Sequence, residues 1–486
     1  MTKPRRTQSQ ERHKAPRAAK PEAPFARSPF AREEKRGIEK PLARNPPVKT
    51  PREKTAALPA PARTVLVKES AAPPAVAGLG AMVNRRASNR LRSGHVWVYA
   101  SDVEGMNLPE GEAPRLVPVA DDRGLLLGTA LYSPASQIAL RLVTREAIGE
   151  AEWLKLIEAR LRRAIEDRGP RLRDSESGSD SCRLCFSEAD ELPGIVIDKY
   201  GPLVVLQLLN KGVDSAAVRE VCVGVLREML EPAAIVERPD PRMRELEGLS
   251  APATAPLWVR EGVDSPGKAE FRLNGLRFHF DADAGQKTGA FLDQSVNYKA
   301  AQEFAWLMTP GGRALDVCCY QGGFALHLAR VCGRVTGIDA SHASLEVAEK
   351  NLAANRDQIG AEVDWVAGDA FTVLRDWADA NEKFDAIVLD PPAFAKTQRA
   401  VEGALRGYKE LNLRAFKMLR PGGLLVTCTC SHHVGWAEFE GAVASAAADA
   451  HRRVRVQSRR GAAPDHPVIL NIPETEYLKC LVLEAQ

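Results

Sequence analysis

The sequence predicts an α/β protein whose C-terminal part is built on a mainly parallel sheet, with two smaller modules ahead of it. Three observations carry that reading. From residue 311 onward, strand-forming and helical runs alternate, which is the pattern of βα units. Residues 78–148 hold short strand-forming runs separated by polar turns, as in a small β-barrel. Residues 149–280 mix helices and strands in the order of an α+β module. Residues 1–77 are a leader, and residues 281–486 form the α/β domain.

The charge is unevenly distributed. The 486 residues sum to +4, yet residues 1–70 hold 18 Lys/Arg against 7 Asp/Glu, and the other 416 hold 49 against 56. The leader is therefore basic and the body acidic. Residues 1–63 contain eleven prolines and two Phe with no apolar period, so they cannot bury enough surface to offset their ordering entropy. Such a segment reads as an electrostatic arm for RNA or as an extension without a specific role. At 44% hydrophobic residues the body can bury real cores. No run approaches the ~18 apolar residues of a membrane span, and the N-terminus lacks a secretory signal. Nine cysteines in no disulfide framework predict a reduced, cytoplasmic protein. The sequence leaves a homodimer open.

In the barrel, Arg85, Arg86, Arg90 and Arg92 precede His95-Val-Trp-Val-Tyr99. Strands follow at Leu116–Val119, Leu125–Tyr132 and Ile138–Leu142, with a turn at Asp121–Gly124. The arginines form a basic cluster suited to RNA phosphates, and Trp97 and Tyr99 are expected in the core rather than as a stacking platform. In the next module, a helix over 151–170 carries Trp153, Leu154, Ile157, Leu161 and Ile165 on one face. Ser175–Ser181 reads as a flexible insert. Strands are expected at Ile195–Ile197, Leu203–Leu209, Ala234–Glu237 and Leu273–Phe280, and a helix near 214–230. Cys182-x-x-Cys185 has no second ligand pair at metal spacing, so no metal is expected.

The first strand of the α/β domain, Ala314–Cys318, contains Asp316 and leads through Tyr320-Gln-Gly-Gly-Phe324 into a helix reaching Arg330. Glycine at such a turn lets the backbone approach a ligand at the carboxyl edge of the sheet. The second strand, Val335–Asp339, ends in an acid suited to the two hydroxyls of a ribose. The third, Val363–Val366, precedes Gly368-Asp369. The fourth, Phe384–Leu389, runs into Asp390-Pro-Pro-Ala-Phe394, and the fifth, Leu424–Thr427, into Cys428-Thr-Cys-Ser-His-His433. The dinucleotide spacing G-x-G-x-x-G is absent and nothing asks for a pyrophosphate. A ligand with ribose and adenine but no phosphate fits, and S-adenosylmethionine is such a ligand.

The run of Asp316, Gly322, Asp339, Asp369 and Asp390-Pro391-Pro392 resembles the class I S-adenosylmethionine-dependent methyltransferases. Further stretches resemble the bacterial large-subunit ribosomal RNA cytosine-C5 methyltransferase family more closely. These are Gly285-Gln-Lys-Thr-Gly289, Phe291-Leu-Asp-Gln294, Asp390–Lys396, Cys430-Ser-His-His433, Pro464-Asp-His-Pro467 and Glu476-Tyr-Leu-Lys479. Upstream, Ser93–Trp97 and Leu131–Ser136 look like that family's PUA-type RNA-binding barrel, and Glu188–Gly194 and Arg244–Gly248 like its central module. The resemblance starts near residue 78. It implies a Rossmann-like domain with a seven-stranded, mostly parallel sheet, S-adenosylmethionine as cofactor and large-subunit ribosomal RNA as partner. It also implies that Asp339 binds the ribose, Asp369 the adenine end, and that Asp316, Tyr320 and Gly322 shape the methionine pocket beside Asp390. Gln286, Lys287 and Asp293 fall in a loop closing over the site, with no assigned role.

The acceptor atom decides the chemistry. Asp390-Pro391-Pro392 suits an exocyclic amino nitrogen, because a rigid proline turn aims acceptor oxygens at an amino group. Cytosine C5 is too weak a nucleophile unaided; a thiolate adding at C6 activates it. Cys430 is the expected nucleophile, as the resemblance also implies, with Cys428 as fallback and Asp390 gripping the base or aiding proton removal. Pro391, Pro392 and Phe394 are expected to face substrate RNA. His432 and His433 could lower the thiol pKa or be structural. Cys318, Cys319, Cys332 and Cys480 read as small core residues. The reading is a 5-methylcytosine RNA methyltransferase; the alternatives are an amino-nitrogen RNA methyltransferase and a non-catalytic RNA-binding factor.

Overall fold

A computed structural model of the chain describes residues 79–111, 114–173, 178–250, 255–282 and 290–486. The leader and the Gly285–Gly289 stretch, with Gln286 and Lys287, lie outside them. Among the described residues no helix is long and apolar enough to cross a membrane.

The first module is a six-stranded sheet in the order Trp97–Tyr99, Ile138–Thr144, Leu126–Tyr132, Leu116–Ala120, Gly80–Val83, Val103–Asn107. The four arginines lie on a helix, Arg85–Arg92, whose first turn Asn84 caps by accepting from the Ala87 N–H at 2.8 Å. They do not form one basic patch. Arg85 and Arg86 are exposed, but Arg90 donates to Asp102 at 2.7 Å and lies over the Tyr99 ring, and Arg92 pairs with buried Asp121 at 2.5 Å. Two of the four expected phosphate contacts therefore neutralise carboxylates of their own module. Trp97 and Tyr99 are half-buried, not core: strand alternation turns Val98 inward, and the Trp97 indole N–H donates to Glu188 at 2.9 Å.

The second module is a five-stranded sheet in the order Trp258–Val259, Ala234–Glu237, Leu203–Leu208, Ile195–Tyr200, Ser181–Phe186. The helix Glu150–Arg173 buries Trp153, Ile157, Leu161 and Ile165 as its spacing predicts, and Leu154 only partly. Of the expected insert, residues 174–177 lie outside the described residues and Ser181 opens a strand instead. That strand carries Cys182 and Cys185, both buried; burial pushes the Cys185 thiol well up. No cluster of His, Cys, Asp or Glu at metal distance occurs among the described residues.

The expected strand Leu273–Phe280 is a hairpin, Lys268–Leu273 and Leu276–Asp281. Asn274 and Gly275 turn it with φ of +52° and +84°, values the Asn-Gly pair favours in two-residue hairpins. The hairpin docks on the α/β domain: Asn355 and Asn351 accept from the Arg277 and His279 N–H groups, each at 2.8 Å.

The seven strands of the α/β domain are Arg313–Val317, Arg334–Asp339, Glu362–Ala367, Phe384–Leu389, Leu419–Thr429, Val454–Arg460 and Lys479–Ala485, here called the first to seventh. Their order is 3-2-1-4-5-7-6, and only the contacts of the seventh strand are antiparallel. Apolar side chains alternate between two cores. Ala314, Val335, Val388 and Val426 face one set of helices, while Leu315, Val317, Ile387 and Leu425 face the other. Both faces being sealed, the exits of the first, second, fourth and fifth strands gather at one carboxyl edge.

Candidate active site

The turn after the first strand is held in a conformation that most side chains avoid. Cys318, Tyr320 and Gly322 have φ of +63°, +50° and +87°. Left-handed backbone at two non-glycine residues costs energy and is characteristic of ligand sites. At Gly322 a Cβ would also approach the Trp365 ring to 3.1 Å. Asp339 pins the turn by accepting from the Tyr320 N–H at 2.9 Å, and its other oxygen accepts from the Ser341 N–H at 2.8 Å. Cys318 is half-buried in this turn rather than in the core, and burial together with the Asp339, Asp390 and Asp316 charges pushes its thiol far up. Cys319, Cys332 and Cys480 are buried, in keeping with their apolar patterns.

Asp316 is fully buried. One oxygen accepts from the Ala325 N–H at 2.8 Å, and the other finds no donor among the described residues. Burial pushes its pKa well up, and the Asp390 and Asp339 charges push it further. A buried carboxylate oxygen without a donor asks for a cation or an N–H from a ligand. The ammonium of S-adenosylmethionine is such a donor, so the donor set fits the cofactor. Asp369 is exposed and caps the helix Ala370–Asp379 through one oxygen, at 2.9 Å from the Thr372 N–H. The Tyr320 ring meets Phe291 edge-on at 5.1 Å. The hydroxyl of Tyr320, raised by burial, also feels the charge of Arg238 from the central module.

Asp390 follows the fourth strand, its N–H donating to Val317 at 3.2 Å. The buried Gln294 amide donates to its carboxylate at 3.0 Å and accepts from Asn297 at 2.7 Å, and Asn297 in turn accepts from Arg460 at 3.1 Å. Of the expected RNA-facing residues, Pro392 is exposed but Pro391 is buried. Phe394 packs between Phe371 and Tyr408, with ring centroids at 5.8 and 4.8 Å. Pro391 and Phe394 thus shape the loop from within.

Leu389 is level with Thr427 in the fifth strand, which brings Asp390 alongside Cys428 and puts Cys430 about 7 Å farther along. Cys428 is fully buried opposite Cys480, and burial, Cys480 and the Asp390 charge push its thiol well up. Cys430 lies just past the strand and is half-buried. Its neighbours Thr429 and Ser431 are both buried and both bonded to the Tyr408 hydroxyl, at 2.7 and 2.9 Å, while Ser431 also accepts from the Ala395 N–H at 3.2 Å. This network fixes the backbone on each side of the thiol. Across from it, Tyr477 donates to Asp293 at 2.5 Å and its ring lies 5.4 Å from that of His432. The other Asp293 oxygen is buried without a donor among the described residues.

Sequence reasoning did not assign roles to Gln294, Tyr408, Tyr477 or Lys479. For Lys479 a signal exists: a lone cation opens a strand, Lys479–Ala485, whose next four residues are all apolar, and it is only 4% exposed.

The fold and this edge define a class I methyltransferase. Residues 81–145 match the PUA-like domain family and residues 250–471 the S-adenosylmethionine-dependent methyltransferase family. The chain is 35% identical over 396 residues to the ribosomal RNA large subunit methyltransferase I of Photobacterium profundum, covering 80% of this chain and 95% of that one. The enzyme of the same name from Klebsiella pneumoniae is 36% identical, covering 79% and 93%. A candidate methyltransferase solved in complex with SAH superposes with a TM-score of 0.69 at 19% identity, over 84% of this chain and all of that one. The chain belongs to the ribosomal RNA large subunit methyltransferase I family.

Proposed function

We propose that this protein transfers a methyl group from S-adenosylmethionine to C5 of a cytosine in large-subunit ribosomal RNA, with Cys430 as the nucleophile. The observation that carries the reading is the contrast within one strand end: Cys428 is sealed inside the sheet, while Cys430 is half-buried beyond it in a backbone fixed by Tyr408. A 35% identical relative named for large-subunit ribosomal RNA supports the substrate class.

When bound, S-adenosylmethionine supplies a methyl group already activated on sulfonium. In this reading Asp316 and the turn at Tyr320 and Gly322 hold its methionine end, Asp339 the ribose and Asp369 the adenine side. The Cys430 thiolate would form a bond to C6 of the cytosine, and the π pair of the C5–C6 double bond would move to C5, which would take the methyl group while the cofactor sulfur keeps the pair of the broken S–CH3 bond as a neutral thioether. Loss of the C5 proton to a base returns the pair, restores the double bond and breaks the S–C6 bond. Asp390, oriented by Gln294, accepts from the cytosine amino group. The target base must leave its stack to reach this edge, so accessible or unassembled RNA is the substrate. Exposed Arg85 and Arg86 offer phosphate contacts, and a homodimer is compatible with this arrangement.

The test is nucleoside mass spectrometry of unmodified large-subunit ribosomal RNA after incubation with enzyme and cofactor, beside Cys430→Ala. The expected result is 5-methylcytosine that disappears in the variant. A methylated purine, or undiminished product from the variant, would overturn the Cys430 route; the purine would favour amino-nitrogen transfer at Asp390-Pro391-Pro392.

A further inference from the structure

We propose that the buried ammonium of Lys479 is the cation that holds Cys430 as a thiolate. The inference rests on the reading of Cys430 as nucleophile and concerns how that nucleophile is made. Lys479 stands directly across the antiparallel pair from Thr429, the residue before Cys430. Its side chain runs inward, 4% exposed as a residue, and its Nζ donates to the Tyr477 carbonyl at 3.4 Å. A lysine so enclosed is costly unless an anion shares the enclosure.

The surrounding charges single out one partner. Burial lowers the Lys479 pKa, and the charges of Glu476, Cys430 and Glu438 oppose that lowering. Glu476 and Glu438 are exposed, and their carboxylates already accept from the Trp436 indole at 2.9 Å and the Gly435 N–H at 2.7 Å. Water screens them, so they compensate a buried charge poorly. Cys430 is the third of these groups, and it is half-buried.

Among the described residues, the other groups near the thiol do not replace the lysine. His432 is exposed as a residue, yet desolvation of its ring lowers its pKa and the Lys479 and His433 charges lower it further, against Glu474, so it is a poor source of positive charge. Tyr408 and Tyr477 are neutral, both raised by burial, and Tyr477 is committed to Asp293. Arg183, whose charge reaches Tyr477, is bound through two nitrogens to Asp198, each at 2.8 Å. The carboxyl groups of Asp390 and Asp293 cannot stabilise a thiolate.

The experiment reads the thiol itself. Full-length protein is alkylated with iodoacetamide from pH 5.5 to 9.5, and the Cys430 peptide is quantified by mass spectrometry in wild type, Lys479→Met and Lys479→Arg. Cofactor-product binding is measured alongside to establish folding, and Lys479→Gln supplies a second neutral variant. The wild-type midpoint is expected below the ordinary ~8.5 of cysteine. In the neutral variants it should rise by about one unit, so alkylation at pH 7 falls about tenfold, while arginine should keep it within about threefold. Superimposable pH profiles for wild type and a folded neutral variant would overturn the proposal. The outcome separates from that of the methylation test: an amino-methylated purine with a shifted Cys430 profile would leave the pair standing and remove the nucleophile, whereas 5-methylcytosine with unshifted profiles would do the reverse.

Discussion

Cys428 and Cys430 lie two residues apart at the end of one strand and have opposite surroundings. Cys428 is paired across the sheet with Cys480, and both are fully buried. One position further, Thr429 faces Lys479, and Cys430 emerges between two hydroxyls tied to Tyr408. The first thiol is pushed toward its protonated form by burial, by Cys480 and by the Asp390 charge, and the bond from Gln294 opposes this only in part. The second follows directly on the residue that Lys479 faces across the strand pair. In the proposed reading, the change from packing residue to nucleophile is made by what the seventh strand sets beside each cysteine, Cys480 for the first and Lys479 next to the second.

The largest expected effect breaks this comparison if it is wrong. Cys430→Ala should lower methyl transfer by more than about a thousandfold, as loss of a covalent nucleophile does. Cys428→Ala should stay within about threefold, since it trades one small buried group for another. Single-turnover rates on the same RNA check both. A reversal of the two phenotypes would move the nucleophile to the buried position.

A second effect concerns a buried titratable group whose partners are complete. His327 is fully buried, with Nδ1 at 2.7 Å from the Gly323 carbonyl and Nε2 at 3.0 Å from the Asn274 amide, and burial lowers its pKa to about 4. Its folded value lies below the 6.5 of the unfolded chain, so its contribution is complete above pH 6.5 and is lost as pH falls toward 4. The loss should reach about 3 kcal/mol. Urea midpoints from pH 7 to 4.5 should fall more steeply in wild type than in His327→Gln; parallel curves would show that the histidine does not carry the acid sensitivity.

Asp316 is the opposite case, a buried group with a partner missing. Asp316→Asn keeps an acceptor for the Ala325 N–H while removing the buried charge. It should weaken cofactor binding by about 10- to 100-fold and raise the melting temperature of the ligand-free protein by a few degrees, about what 1 kcal/mol gives. Calorimetric titration and thermal unfolding of one preparation test the two signs together.

How much of this was legible in the sequence follows the same division. The proposed cofactor edge is local: Asp316, Gly322, Asp339 and Asp369 each sit at or just past a strand end, and strand periodicity places them without tertiary information. The thiol's surroundings are not local. Tyr408 comes from a helix, Lys479 from the last strand and Tyr477 from the loop just before it, and Gln294 from residues ahead of the first. Their proximity depends on the antiparallel insertion of the seventh strand beside the fifth, which no spacing encodes. Arg90 and Arg92 show the converse limit, because a run of cations looks the same whether it faces phosphate or its own module's carboxylates. The Asn-Gly turn at 274–275 was readable, and the apolar run around it concealed a hairpin as a single strand.

The smallest effect is expected at Gln294, which touches both sides of the comparison. Its amide N–H holds Asp390 at 3.0 Å, its carbonyl is fixed by Asn297, and its side chain also bonds to the Cys428 thiol. Gln294→Ala would leave Asp390 one donor short without touching Asp316 or the Tyr320 turn. The cofactor dissociation constant should therefore stay within about twofold, while kcat falls about tenfold, as for loss of one hydrogen bond to a charged group. Gln294→Glu should be worse than alanine, because it sets a second carboxylate against Asp390 where the amide donated. If glutamate and alanine were equally active, Asp390 would not depend on that donor, and the chain from Arg460 through Asn297 would matter only for packing.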